Sequence, residues 1–201
     1  MIAIRKSGVR KDQRGVAAVE FAMLLTPLLV GILSFLDLSY QSYVRAQLQG
    51  VLNEVARAAS VEHPDIDDPD DSLEDQIQSR VRTRMAGLVK SGDYTFSINS
   101  YHEFSGVGQP EALVTDVNGN GQYDSGDCWV DSNPNGTFDT DQGSDGIGGA
   151  DDVVVYEVQM DIPNLTPIAG LIGGTGVFKA DAKSIVRRQP YAAQAEPPVA
   201  C

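Results

Sequence analysis

From Val16 to Leu36 the chain is apolar apart from Glu20, Thr26 and Ser34. A helix of about 20 such residues is long enough to cross a bilayer, so this stretch decides the architecture before any other feature is read. It is too long for the apolar core of a usual signal peptide, and no small-residue cleavage site clearly follows it. Arg5, Lys6, Arg10, Lys11 and Arg14 precede it, against the single acid Asp12. The positive-inside rule therefore keeps residues 1–15 cytoplasmic and sends everything after Asp37 across the membrane. Glu20 conflicts with its setting. An ionised carboxylate in hydrocarbon is costly, and such residues usually mark a function.

The helical pattern outlasts the span. Val44, Leu48, Val51, Leu52, Val55 and Ala59 recur at three- and four-residue spacing. This predicts one helix from Val16 to about residue 60, kinked at Pro27, whose ring displaces a backbone hydrogen bond. Residues 61–71, "VEHPDIDDPDD", read as an acidic linker. Asp71 or Ser72 can cap a second helix, with Glu74 and Asp75 in its first turn and an apolar stripe of Leu73, Ile77, Val81, Met85 and Leu88. Gly92 is a reasonable stop for it. Alternation predicts strands over 93–104, 153–162 and 178–186, with residues 164–176 as an apolar, glycine-rich loop or short turn. The fold class is α+β: a long N-terminal transmembrane helix continues into an ectodomain over residues 72–190. That ectodomain holds a second helix, a small antiparallel sheet and an insertion at 116–152. The tail, 191–201, reads as irregular.

Charge narrows the function. The net charge is −13, and the first fifteen residues carry +4, so the remainder carries −17. A surface this acidic excludes nucleic acid as a partner and fits a solvated or cation-binding ectodomain.

Within the insertion, "DVNGNGQYDSGD" at 116–127 and "DSNPNGTFDTDQ" at 131–142 share D-x-N-x-N-G-x-aromatic-D. This is the spacing of a calcium loop, where oxygens come from positions 1, 3, 5, 7, 9 and 12 and glycine at 6 makes the turn. The expected ligands in the first loop are Asp116, Asn118, Asn120, the Gln122 carbonyl, Asp124 and Asp127. In the second they are Asp131, Asn133, Asn135, the Thr137 carbonyl and Asp139. Position 12 is there Gln142, so Asp141 or Asp145 is expected to substitute. Only Cys128, Trp129 and Val130 separate the loops, which leaves no room for the helices of an EF-hand. The repeat resembles the calcium loops of extracellular proteins such as thrombospondin type 3 repeats. The expectation is one or two weakly held structural calcium ions; the competing reading is a solvated region of Asn-Gly turns.

The two cysteines, Cys128 and Cys201, form no C-x-x-C site. An exported chain permits a disulfide between them, which would close a long loop. Two free thiols, or pairing with another chain, stay open alternatives.

"RGVAAVEF" at 14–21 resembles the processing site of prepilins: a glycine, a cleavage point, then an apolar helix with Glu at its fifth position. An aromatic residue after that Glu resembles the Flp/Tad branch. With "GGADDVVVYEV" and "IVRRQPYAAQ", the chain resembles TadE/TadG-like minor pilins, or pseudopilins, of the Tad (tight adherence) pilus system. The resemblance implies cleavage between Gly15 and Val16 by a prepilin peptidase, followed by Glu20 and Phe21 as the fifth and sixth residues. Glu20 would then offer its charge to the freed Val16 amine or to a neighbouring subunit's. It also implies a pilin-like fold and a single-pass place in the bacterial inner membrane, with the C-terminal domain periplasmic or on the pilus. The implied partners are other Tad pilins and pseudopilins and the inner-membrane assembly platform. The alternative is an unprocessed, membrane-anchored calcium-binding adhesion or envelope module. An exported hydrolase is a weaker third. His63 and His102 are isolated, Ser39, Ser100 and Ser105 fit no nucleophile elbow, and "GLIGGTG" at 170–176 is no phosphate loop. The expected role is structural and non-enzymatic.

Overall fold

The computed structural model describes residues 15–61, 72–171 and 173–201. Residues 1–14 of the expected leader and 62–71 of the expected linker lie outside the described residues. Helix α1 runs unbroken from Val16 to Ala59, through Pro27. Its most apolar 18-residue window has a mean hydropathy of 2.2 and no buried residue, so its side chains face outward along a span long enough to cross a membrane. From Val44 onward one face turns inward, through Val44, Leu48, Leu52, Val55, Ala56 and Ala59. Helix α2, Leu73–Met85, starts where Ser72 accepts a hydrogen bond from the Asp75 amide and ends short of Gly92. It adds Ile77, Val81 and Met85 to the same core.

Four strands form the main sheet: β1 (Asp93–Tyr101), β4 (Ser144–Asp145), β5 (Val153–Pro163) and β6 (Val177–Arg187). Their order is β4-β1-β5-β6, antiparallel throughout. Alternation works as the period of two requires. Val154, Tyr156, Val158, Met160 and Ile162 from β5, and Phe178, Ala180 and Ala182 from β6, face the helices. Glu157 and Lys183, opposite one another on the other face, pair at 2.7 Å in solvent.

Strand β6 is an edge, and α1 satisfies part of it. Arg45 donates through Nη2 to the Lys179 carbonyl at 3.0 Å. Gln49 donates to the Lys183 carbonyl at 2.8 Å and accepts from the Lys183 amide at 3.3 Å. An edge strand offers unpaired backbone groups, and these two side chains occupy several of them. At the start of this run Asp37, 8% exposed, accepts from the Thr166 amide at 2.9 Å and from the Thr166 hydroxyl. At its end the Gln189 amide donates to the Ser60 carbonyl at 2.9 Å. The β5–β6 pair therefore lies along α1 from Asp37 to Ser60, about 35 Å at the α-helical rise per residue. The turn between β5 and β6 sits at the Asp37 end. It contains the short helix α3, Ile168–Leu171.

A second, three-stranded sheet lies in the order β2-β3-β7: β2 (Leu113–Thr115), β3 (Cys128–Val130) and β7 (Val199–Ala200). The expectation of an irregular tail is corrected here. Val199 pairs with Val130 and Ala200 with Trp129, since β3 has an open edge beside the tail.

The two halves of α1 should respond differently to truncation. Leu48→Ala, in the core, should lower the stability of the folded domain by about 2–5 kcal/mol in urea unfolding of the detergent-solubilised protein. Leu29→Ala should leave the same midpoint unchanged.

Candidate functional site

The acidic module grows out of the end of β1. Residues 116–127 join β2 to β3, and residues 131–142 follow β3. Each loop is organised by its first carboxylate. Asp116 accepts from the amides of Gly119 at 2.6 Å, Asn120 at 3.3 Å and Gly121 at 2.7 Å. Asp131 accepts from Asn135 at 3.1 Å and Gly136 at 2.8 Å. These turns need a glycine at position 6, and Gly121 and Gly136 have φ of +74° and +77°, a region that L side chains rarely enter.

The ninth position closes each loop from the other side. Asp124 accepts from the side-chain amides of Asn118 and Asn120, both at 2.7 Å. Asp139 accepts from those of Asn133 at 2.8 Å and Asn135 at 2.6 Å. These bonds favour the ionised form and hold the Asp139 carboxyl below its usual range, while backbone amides, that of Gly121 foremost, do so for Asp116.

The twelfth position separates the loops. In the first, buried Asp127 accepts from the amides of positions 2 and 9, Val117 at 2.9 Å and Asp124 at 2.8 Å. In the second, the same two amides are Ser132 and Asp139. They donate to Oε1 and Oε2 of buried Glu111, at 2.7 and 3.0 Å. Glu111 comes from ahead of the whole repeat and takes, in the second loop, the hydrogen bonds that Asp127 takes in the first. Asp141 and Asp145, the residues expected at this position, have other partners. Asp141 accepts from the Tyr101 hydroxyl at 3.3 Å, whose titration burial and Asp141 push up to about 12. Asp145 is drawn into β4, opposite Asn99. Gln142 turns its side chain to Ser132 and Gly106 instead.

The two loops also share a core. Tyr123 and Phe138, the position-8 aromatics, stack at 4.4 Å with 5° between their planes. Both meet Trp129 edge-on, at 5.1 and 6.2 Å. Cys128 beside Trp129 is bonded to Cys201, fastening β7 to β3.

Among the described residues, no three His, Cys, Asp or Glu side chains gather as a metal-holding group. The side chains at positions 3 and 5 are asparagines, and their amide nitrogens face the Asp124 and Asp139 carboxylates. The Asn133 Oδ1 atom, at position 3, is buried without a hydrogen-bond partner among the described residues. A hard cation seeks such oxygens, so the donor chemistry fits one. Gln122 and Thr137 stand at position 7, each with its amide bonded to the preceding asparagine's Oδ1, at 2.7 Å in both loops.

At the other end of the molecule Gly15 is the N-terminal cap of α1, and its carbonyl accepts from the Val19 amide at 3.1 Å. Val16, Glu20 and Phe21 are exposed on the first turns. Glu20 makes no hydrogen bond or ion pair among the described residues. Residues 15–57 match the family model described as TadE-like protein. The N-terminal segment is TadE-like. The TadE-like match begins at the cap of α1 and covers nearly the whole helix, stopping before α2 and the acidic module. It is consistent with a Tad pilus protein. No curated protein and no solved structure matches the chain.

Sequence spacing alone misses Glu111, because it lies outside the repeat frame. Its removal should be felt in one loop only. In Glu111→Ala, amide hydrogen exchange at Ser132 and Asp139 should quicken roughly tenfold or more, from the loss of about 1–3 kcal/mol of hydrogen bonding. Exchange at Val117 in the first loop should stay as it is.

Proposed function

We propose that this protein is a structural minor pilin, or pseudopilin, of a Tad-type pilus and secretion apparatus. The observation that carries this reading is the TadE-like match, which starts at Gly15, the residue that caps an exposed apolar helix. Prepilin peptidase cuts between Gly15 and Val16 and frees an amine at the helix start. Glu20, one turn on, gives that amine or a neighbour's its counter-charge. Burying either charge alone in hydrocarbon is costly, and pairing them offsets much of that cost. The exposed apolar face of α1 holds the protein in the inner membrane, with the ectodomain in the periplasm or on the pilus. Other Tad pilins and the assembly platform are its partners, and its role is non-enzymatic.

Processing is tested by the mass of the protein recovered from its own membrane, which should begin at Val16. Gly15→Leu should retain the leader. A side chain at Gly15 meets nothing within 4 Å in this chain, so a block reflects the peptidase and not misfolding. A recovered protein starting near Met1 would refute the assignment.

The acidic module in this reading holds structural calcium, taken by Asp116, Asn118, Asn120, Asp124 and Asp127 in the first loop. Asp131, Asn133, Asn135, Asp139 and Glu111 serve the second, with the position-7 carbonyls. The ion supplies positive charge among crowded carboxylates. The chain's part is to hold the oxygens in two turns locked by Gly121 and Gly136. Support comes from the repeated geometry and the unsatisfied Asn133 oxygen. Ligand charge is modest, so affinity falls near 10⁻⁴ M, an order-of-magnitude figure for extracellular modules. Millimolar calcium should raise the melting temperature and shift the emission of Trp129, the single tryptophan, with EGTA reversing both. Asp116→Ala combined with Asp131→Ala should abolish both responses. Identical melts and spectra with calcium and with EGTA would dispose of the metal.

A further inference from the structure

We infer that the turn between β5 and β6 is a second membrane contact, resting on the lipid headgroup region beside the α1 span. The inference rests on the membrane anchor proposed above. Asp37 is the first residue after the apolar run, and it holds Thr166 by two hydrogen bonds. Tyr40, one turn later, packs edge-on against Phe178 at 6.0 Å. These contacts fix the turn at the level where the helix leaves hydrocarbon.

The composition of the turn suits that level. From Asn164 to Phe178 there is no charged residue, in a chain of net charge −13. A turn facing bulk water has no reason to exclude charge. One pressed against anionic headgroups must exclude acids. The apolar side chains there are also presented outward. Leu165 is 59% and Val177 47% exposed, and Pro163 and Pro167 are exposed beside them. Ile168 points the other way and is buried. The patch lies beside Asp37, the residue that ends the exposed apolar run, and the membrane that takes the span is the surface it meets.

The test uses the full chain, disulfide intact, in vesicles of phosphatidylethanolamine and phosphatidylglycerol. A single cysteine at Leu165, Val177, Phe35 or Val114 carries a nitrobenzoxadiazole dye. Lipids spin-labelled near the headgroup end of their acyl chains serve as contact quenchers. Probes at Phe35, Leu165 and Val177 should lose roughly half of their emission or more, as interfacial groups do, while Val114 on β2 loses little. Quenching at Phe35 with none at Leu165 and Val177 overturns the turn's contact and leaves the anchor standing. No quenching at Phe35 overturns the anchor, and the inference with it. Blue-shifted but unquenched probes at Leu165 and Val177 mean that protein covers the patch, which also overturns it.

Discussion

Val44, Leu48, Leu52 and Val55 of α1 pack with Tyr156, Val158, Phe178 and Ala180 of the sheet, and the rest of the molecule is hung on that contact. It lets one helix serve two media. Its first half is apolar on all sides, and its second half is apolar on one. Ala180 and Ala182 keep β6 low, so α1 can lie close enough for Arg45 and Gln49 to reach the backbone of the edge strand. Burial supplies most of the free energy, and the side-chain bonds set register along the helix axis. Because α1 continues unbroken out of the apolar run, the orientation of the sheet follows from the orientation of the span.

That arrangement sorts the folded domain along the axis of α1. The uncharged turn lies at the Asp37 end, and β1, β5 and β6 meet the acidic module at the Ser60 end. The module has its own small core, where Tyr123, Phe138 and Trp129 join the two loops. Most of the loop carboxylates are bonded by backbone amides and asparagine side chains instead of by cations from the protein. The stacked rings join the two loops, while each loop keeps its own carboxylate, Asp127 or Glu111, at the amides of positions 2 and 9.

Much of this is legible in the chain because it is local. The extent of α1, the Ser72 cap, the alternation in β5 and β6 and the twin D-x-N-x-N-G frames all follow from neighbours a few positions apart. What escapes is long-range pairing of polar groups. Asp37 reads as the end of an apolar run, and nothing near it announces Thr166. Nothing local to Arg45 and Gln49 announces that they finish an edge strand. Glu111 precedes the repeat, and periodicity gives it no place in the second loop. The strand in the tail is invisible for the same reason, since Val199 and Ala200 are defined only by β3. A repeat frame predicts the backbone of a loop well, but the twelfth position can be supplied by any carboxylate the topology brings near.

The bond between Cys128 and Cys201 makes the segment between them a closed ring, 73 residues apart along the chain. That ring contains the second loop, β4, β5, α3 and β6. A single peptide cut anywhere inside it, by a protease reaching the exposed Asn-Gly turn for instance, would leave both pieces covalently joined. Pulling on the folded domain by α1 likewise cannot draw β5 and β6 out past the module unless the sulfur bond opens. The protein thus carries its damage tolerance in one covalent closure, placed in the acidic module and away from the apolar half of α1.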